Sequence, residues 1–133
     1  MLKLEIVTPE RRVLDTEADF VSLPTASGEA GILPNHAPLI SALKPGILTF
    51  NARSASDKLA ISSGFAEVSS DKVSVLVDSA ETASEIDVDA ARSDRDAAEK
   101  AIATAGLVDA ERAAEARSAV EHAAARLELA GGR

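Results

Sequence analysis

Proline ends at residue 45 of this 133-residue chain, and alanine takes over near residue 85. The five prolines are Pro9, Pro24, Pro34, Pro38 and Pro45, whereas Glu85 to Arg133 holds 16 alanines, no proline and no aromatic residue. Proline fixes φ and removes a backbone donor, and alanine is the best helix former. A uniform fold is therefore excluded. The expectation is α+β: an N-terminal antiparallel β-sandwich, or flattened barrel, over residues 1–84, followed by a C-terminal αα-hairpin over residues 85–133.

The first part reads as short strands at near-regular spacing. Leu2, Leu4 and Ile6 alternate with Lys3, Glu5 and Val7, the period of a half-buried strand. Thr8-Pro9-Glu10 marks a turn. Further strands are expected at 13–15, 19–23, 39–43, 47–52, 58–62, 65–69 and 73–78. Arg53 to Asp57 and Ser70-Asp71 read as turns. Leu23 to Ile47 contains four of the prolines and three of the seven glycines, and reads as a shaped loop with short extended pieces. Loops of this kind on a small scaffold carry recognition.

In the second part Asp87 can cap a first helix running to about Ala105, with Asp89 favourable in its first turn. Val88, Ala91, Ala98, Ile102 and Ala105 trace its apolar stripe. Gly106 breaks it, and Asp109 can cap a second helix running to about Leu129, with Ala113, Ala116, Val120, Ala124 and Leu127 on one face. Gly131-Gly132 ends it. Burying alanine yields far less than the ~1.5–3 kcal/mol of a fully buried Leu or Val. The hairpin should therefore be strongly helical yet weakly docked.

Composition removes several functions. With no cysteine there are no disulfides, no thiol catalysis and no Cys-based zinc. A net charge of −8 without a basic patch disfavours nucleic acid. The N-terminus lacks a signal-peptide pattern, and no stretch approaches the ~20 apolar residues of a membrane span; a soluble chain without direct membrane insertion is expected. His36 and His122 lie in different segments, and no ligand spacing supports a metal site. No nucleophile elbow, phosphate loop or dinucleotide fingerprint occurs. No catalytic constellation emerges. The nearest approach to one is His36 beside Glu29 as an acid–base pair.

Gly28-Glu29-Ala30-Gly31-Ile32-Leu33-Pro34-Asn35-His36-Ala37-Pro38-Leu39, followed by Leu43-Lys44-Pro45-Gly46, resembles the signature of the epsilon subunit of F-type ATP synthases. Ser63-Gly64-Phe65-Ala66-Glu67-Val68 and Val73 to Glu81 resemble two further motifs of that family, and Ile86-Asp87 follows at the usual distance. The similarity is collinear over nearly the whole chain and weakest after Ala91.

The resemblance implies a β-sandwich that binds the gamma subunit and the ring of c subunits in the rotor stalk. It implies a non-catalytic role in coupling ring rotation to the catalytic head. It also implies a peripheral position at the cytoplasmic face of the bacterial plasma membrane. Glu29, Ile32, Leu33, Pro34 and His36 would face those partners, with acidic Glu29 giving register against basic c-subunit loops. The hairpin in many bacterial relatives is a switch: compact, it lies on the sandwich; extended, it enters the alpha/beta head and blocks hydrolysis. Some relatives bind ATP in the compact form through a motif in which Ile86 and Asp87 match. Ala90, however, stands where the family has arginine. Arg92 is about 200° further around a helix and does not substitute, so no nucleotide or other cofactor is expected. Two readings from other classes stay open: a small enzyme using Glu29 and His36, and a free-standing β-sandwich module that binds a small ligand.

Overall fold

The computed structural model describes residues 1–53, 55–105 and 109–131. Its strands are β1 (Leu2–Val7), β2 (Arg12–Ala18), β3 (Phe20–Thr25), β4 (Gly28–Ile32), β5 (Leu39–Leu43), β6 (Gly46–Ala52), β7 (Ala55–Ile61), β8 (Gly64–Ser69), β9 (Lys72–Val77) and β10 (Ala80–Glu81). They follow the order β10-β7-β6-β3-β5-β8-β9-β1-β2, with β4 branching from β3. The sheet wraps around a core in which Leu2, Leu4, Ile6, Val21, Leu23, Ile32, Leu48, Ile61, Val68, Val73 and Val75 are fully buried. The β-sandwich expected from the alternating pattern is therefore present, with one departure. The pair β1·β9 is parallel, joining Leu4 to Val73 and Ile6 to Val75. The two strands come from opposite ends of the domain, so no hairpin dictates their direction, and their apolar faces meet either way.

Leu23 to Ile47 is more regular than a shaped loop. Strands β3, β4, β5 and the start of β6 occupy most of it. Its prolines sit where the ladder does not need their missing N–H. Pro24 is buried in β3 and uses its carbonyl to accept the Lys44 N–H at 2.9 Å. The irregular part reduces to Leu33–Pro38. There the His36 N–H donates to the Leu33 carbonyl at 3.2 Å, and Asn35 has φ +66°. Proline followed by a residue of positive φ is the chemistry of a type II turn. The expected turn at Arg53 to Asp57 is also shorter, because Ala55–Asp57 belongs to β7; Ser54 lies outside the described residues. Ser70 and Asp71 form the expected tight turn, both with positive φ, as a two-residue hairpin of type I′ requires.

After β10, Thr82 opens a short 3-10 turn over Ala83–Glu85, which leads into α1 (Val88–Ala105) and α2 (Ala110–Gly131). Asp87 Oδ1 accepts the Ala90 N–H at 3.0 Å and Asp109 Oδ1 accepts the Arg112 N–H at 3.1 Å, so both expected caps form. Gly106 and Gly132 lie outside the described residues, and Gly131 closes α2 from within. The α2 stripe differs from expectation. Ala113, Ala116, Ala123 and Ala125 are buried, whereas Ala124 is exposed. Ala123 and Ala125 point to sides of the helix about 160° apart, because α2 lies between two neighbours. One is α1; the other is the sheet along β6 and β7. On the sheet side Ala125 meets Ala60 and Ile86, flanked by Ile47, Leu129 and Ala130.

Two outcomes test this packing. A Cβ on Gly64 would overlap the Leu76 carbonyl oxygen and lie 2.9 Å from Val77 Cα. Gly64→Ala should therefore lower the unfolding free energy by about 1–3 kcal/mol, read from urea melts. The Glu85 carboxyl accepts the Thr82 N–H and hydroxyl, each at 3.0 Å, and meets Arg11 at 3.0 Å. The Thr82 N–H first, then the Thr82 hydroxyl and Arg11, hold it below its ordinary value of 4.5. A depressed folded-state value gives stability that is present above about pH 4.5 and is lost as pH falls through the folded value. Glu85→Gln should flatten that part of the acid limb in pH-dependent denaturation and leave its slope between pH 6 and 8 unchanged.

Candidate functional site

The turn after β4 is the most sharply built part of the surface. Leu33 is 59% exposed at its tip. Pro34 is half-buried and His36 exposed. The His36 ring is held by Nδ1 donating to the Ala37 carbonyl at 2.7 Å. The Asn35 N–H donates to Asp71 Oδ1 at 2.7 Å, which ties the turn to the tip of the β8–β9 hairpin. Ile32 departs from expectation: it is fully buried in the sandwich core. Alternation along β4 turns it inward, so it gives no contact area to a partner.

Glu29 lies at the other end of β4, opposite Pro24. It is exposed, and its carboxylate accepts the Ser22 hydroxyl at 3.1 Å. It borders a shallow groove beside α2, together with Lys44, Lys58, Glu121 and Glu128. Glu29 and His36 thus spend their side-chain hydrogen bonds on different partners. The acid–base pair that the small-enzyme reading needs is not formed. Among the described residues no group of three or more His, Asp or Glu is arranged to hold a metal ion.

A second surface was missed by sequence reasoning. Ile40 on β5, Phe65 on β8 and Leu76 on β9 are 74%, 61% and 56% exposed. These strands are neighbours in the sheet. Phe65 stands between Ala42 and Leu76 in register, and Leu76 is followed by Val7 across the parallel pair. The result is an apolar row across four strands on the outer face, with Ile40 and Glu67 in the adjacent row. The signal was in the alternation: Leu76 occupies a position where the Val73-Val75-Val77 strand should be polar, and Phe65 does the same on β8. Contiguous apolar patches of this kind mark interaction sites.

The third feature is the hairpin. Ile86 is buried beneath α2, Asp87 caps α1, and Ala90 is half-buried in the first turn of α1. Arg92 pairs with Asp89 at 3.8 Å on the exposed side of α1. It brings no cation to the Ala90 position. A cavity of about 800 Å³ runs between the helices, lined by alanines with Asp94, Lys100, His122 and Arg126 among its polar residues. Arg126 Nε lies 2.7 Å from Glu81 Oε1 on β10, and Nη1 lies 3.4 Å from Asp94 Oδ2 on α1. This links the hairpin to the sandwich. No helix among the described residues is long and apolar enough to cross a membrane.

Residues 1–83 match the family described as ATP synthase, Delta/Epsilon chain, beta-sandwich domain. The ATP synthase epsilon chain of Moorella thermoacetica is 44% identical over 133 residues, covering 98% of this chain and 96% of the relative. That of Nitratidesulfovibrio vulgaris strain DP4 is 43% identical over 130 residues, with the same coverage of each. Among solved structures, a chain of the Euglena gracilis mitochondrial ATP synthase (OSCP/F1/c-ring, rotational state 1) superposes with a TM-score of 0.75 at 27% identity, covering 97% of this chain and 80% of that one. A chain from the central stalk/c-ring structure of the Tetrahymena thermophila mitochondrial enzyme shares the fold, with a TM-score of 0.62 at 16% identity and coverage of 95% and 96%. The sandwich, the hairpin and near full-length similarity to epsilon chains together show that this chain belongs to the delta/epsilon family of ATP synthase subunits, as a non-catalytic member.

Proposed function

We propose that this chain, as a rotor-stalk subunit of the ATP synthase, joins the gamma subunit to the c ring through two different surfaces of residues 1–84, and carries residues 85–133 as a regulatory arm. The observation that carries the proposal is the exposed row of Ala42, Phe65 and Leu76 with Ile40 beside it. A family member with a complete core has no internal use for that row. This apolar row, with a shallow depression lined by Val7, Ala42, Phe65 and Leu76, suits gamma, a partner that turns with it, because a large dry contact resists slippage better than a few charges do.

The c-ring contact is assigned to the end of the sandwich bearing Leu33, Pro34 and His36, with Glu29 on the flank. Leu33 supplies apolar area, and Glu29 gives orientation against basic loops. The subunit works at the cytoplasmic face of the bacterial plasma membrane as a peripheral part of the complex. Rotation of the ring reaches the alpha/beta head through gamma. In the compact arrangement the arm is held by its own contacts with Glu81, Ala60 and Ile86. With Ala90 in the first turn of α1 there is no guanidinium there for a phosphate, so the compact form is nucleotide-independent in this reading.

Two results would check the division of labour. Phe65→Glu with Leu76→Glu should reduce gamma binding about tenfold or more, as expected for central anchors of an interface. Both side chains are more than half exposed, so the urea midpoint should hold. Retained gamma binding would move the gamma surface elsewhere. In the assembled enzyme, truncation after Ala83 should raise ATP hydrolysis several-fold while coupling survives. Unchanged hydrolysis would make the hairpin a fixed support.

A further inference from the structure

Glu67 stands at a corner of the exposed apolar face. On β8 it follows Phe65 by two residues and points the same way, ~6.5–7 Å further along the strand. Across the ladder it is in register with Ile40 on β5 and with Ser74 on β9. Directly opposed residues of an antiparallel pair have Cβ atoms about 4.5–5.5 Å apart. Ile40, Glu67 and Phe65 therefore mark a right angle with Glu67 at its vertex. Ile40 and Phe65 are 74% and 61% exposed. A body laid against both of them comes against the Glu67 carboxylate as well.

Lys3, Glu5, Arg12, Asp15 and Lys72, on the same side of the sheet, are paired with one another. Glu5 meets Arg12 at 3.3 Å and Lys72 at 3.7 Å, and Asp15 meets Arg12 at 3.4 Å and Lys3 at 4.0 Å. This network does not extend to Glu67, which has no ion-pair or hydrogen-bond partner among the described residues. Its neighbours on the face, Ile40 and Ser74 across the ladder and Phe65 and Ser69 along the strand, carry no charge. In the free chain the carboxylate is exposed, and water satisfies it.

Covering the face changes this balance. A carboxylate shut off from water without a cation is costly. A partner that covers Phe65 and Ile40 must therefore bring positive charge to this one point or bind poorly. We propose that Glu67 is a specificity-determining residue for gamma: it accepts a cationic side chain that gamma holds among apolar residues. The inference rests on the assignment of gamma to the row of Phe65 and Leu76. A neighbour with an unbroken apolar surface would strand the carboxylate and is rejected. Two copies of this chain meeting through the face would bring two Glu67 carboxylates together, with a formal charge of −8 on each copy. The same residue thus admits one partner and turns others away.

Binding kinetics of the full-length chain to an assembly of gamma with the alpha/beta head test the assignment. Glu67→Gln should weaken binding roughly tenfold or more, with the loss in the dissociation rate, as truncation of one side of a covered ion pair produces. Glu67→Leu enlarges the apolar face yet should also bind more weakly than the wild type, because the cation on gamma is left without its partner. Glu67→Asp keeps the charge and should bind more tightly than Glu67→Gln. Glu67 is exposed, so the urea midpoint should hold in all three. Dissociation rates of Glu67→Gln and Glu67→Leu within about twofold of the wild type would overturn the proposal, and so would a loss confined to the association rate, the sign of a charge at a solvated rim. Phe65→Glu with Leu76→Glu, measured alongside, separates two failures. If that variant loses gamma while the Glu67 variants keep it, only the role of Glu67 falls. If it binds normally, the assignment of the face to gamma falls, and the proposal with it.

Discussion

The parallel pairing of β1 with β9 is the contact on which the sandwich depends. It joins residues 3–7 to residues 72–76 and sets Leu4 beside Val73 and Ile6 beside Val75, all fully buried. β1 also pairs with β2 on its other edge. Without this seam β9 would end in an open edge, and the apolar faces of both strands would meet water. Its completeness also frees the outer face. With the core satisfied inside, Phe65, Leu76 and Ile40 have no structural work left and remain available to a neighbour.

The hairpin is attached by different physics. Small alanine side chains on two sides of α2 let it approach both α1 and the sheet, but they bury little apolar area. What the seat lacks in area is supplied by one enclosed guanidinium with two carboxylates. The enclosed pair of Arg126 with Glu81 depends on both members, whereas the Asp94 side chain is 67% exposed and adds little.

Much of this was legible in the chain itself. Period-two alternation located β1 and β9 closely, the near-regular spacing of short strands placed β5 and β8, and Asp87 and Asp109 marked both helix starts. Four things were not legible. Pro24 and its neighbours obscured strands, because proline marks irregularity unless its free carbonyl and missing N–H are known to suit the ladder. Ile32 looked like part of the recognition turn, but the strand continues one residue further than the glycines suggest and turns it inward. The stripe on α2 was drawn for one neighbour, and α2 has two, so Ala124 rather than Ala123 was assigned to the interior. The ion cluster at Arg126 joins residues 32 and 45 positions apart, a distance at which side-chain pairing leaves no local pattern.

The hydrogen bond from the Asn35 N–H to Asp71 has a mechanical meaning. Asn35 belongs to the protruding turn after β4, and Asp71 to the tip of the hairpin whose strands carry Phe65 and Leu76. The protruding turn and the apolar face are therefore stitched together by a short charge-assisted bond, besides being parts of one sheet. Any sideways load on the turn is delivered directly to the strands of the apolar face, with little backbone slack between them. The turn and the β8–β9 tip are thereby held in one fixed relation, so a substitution that removes the Asp71 carboxylate would loosen the turn without touching the core.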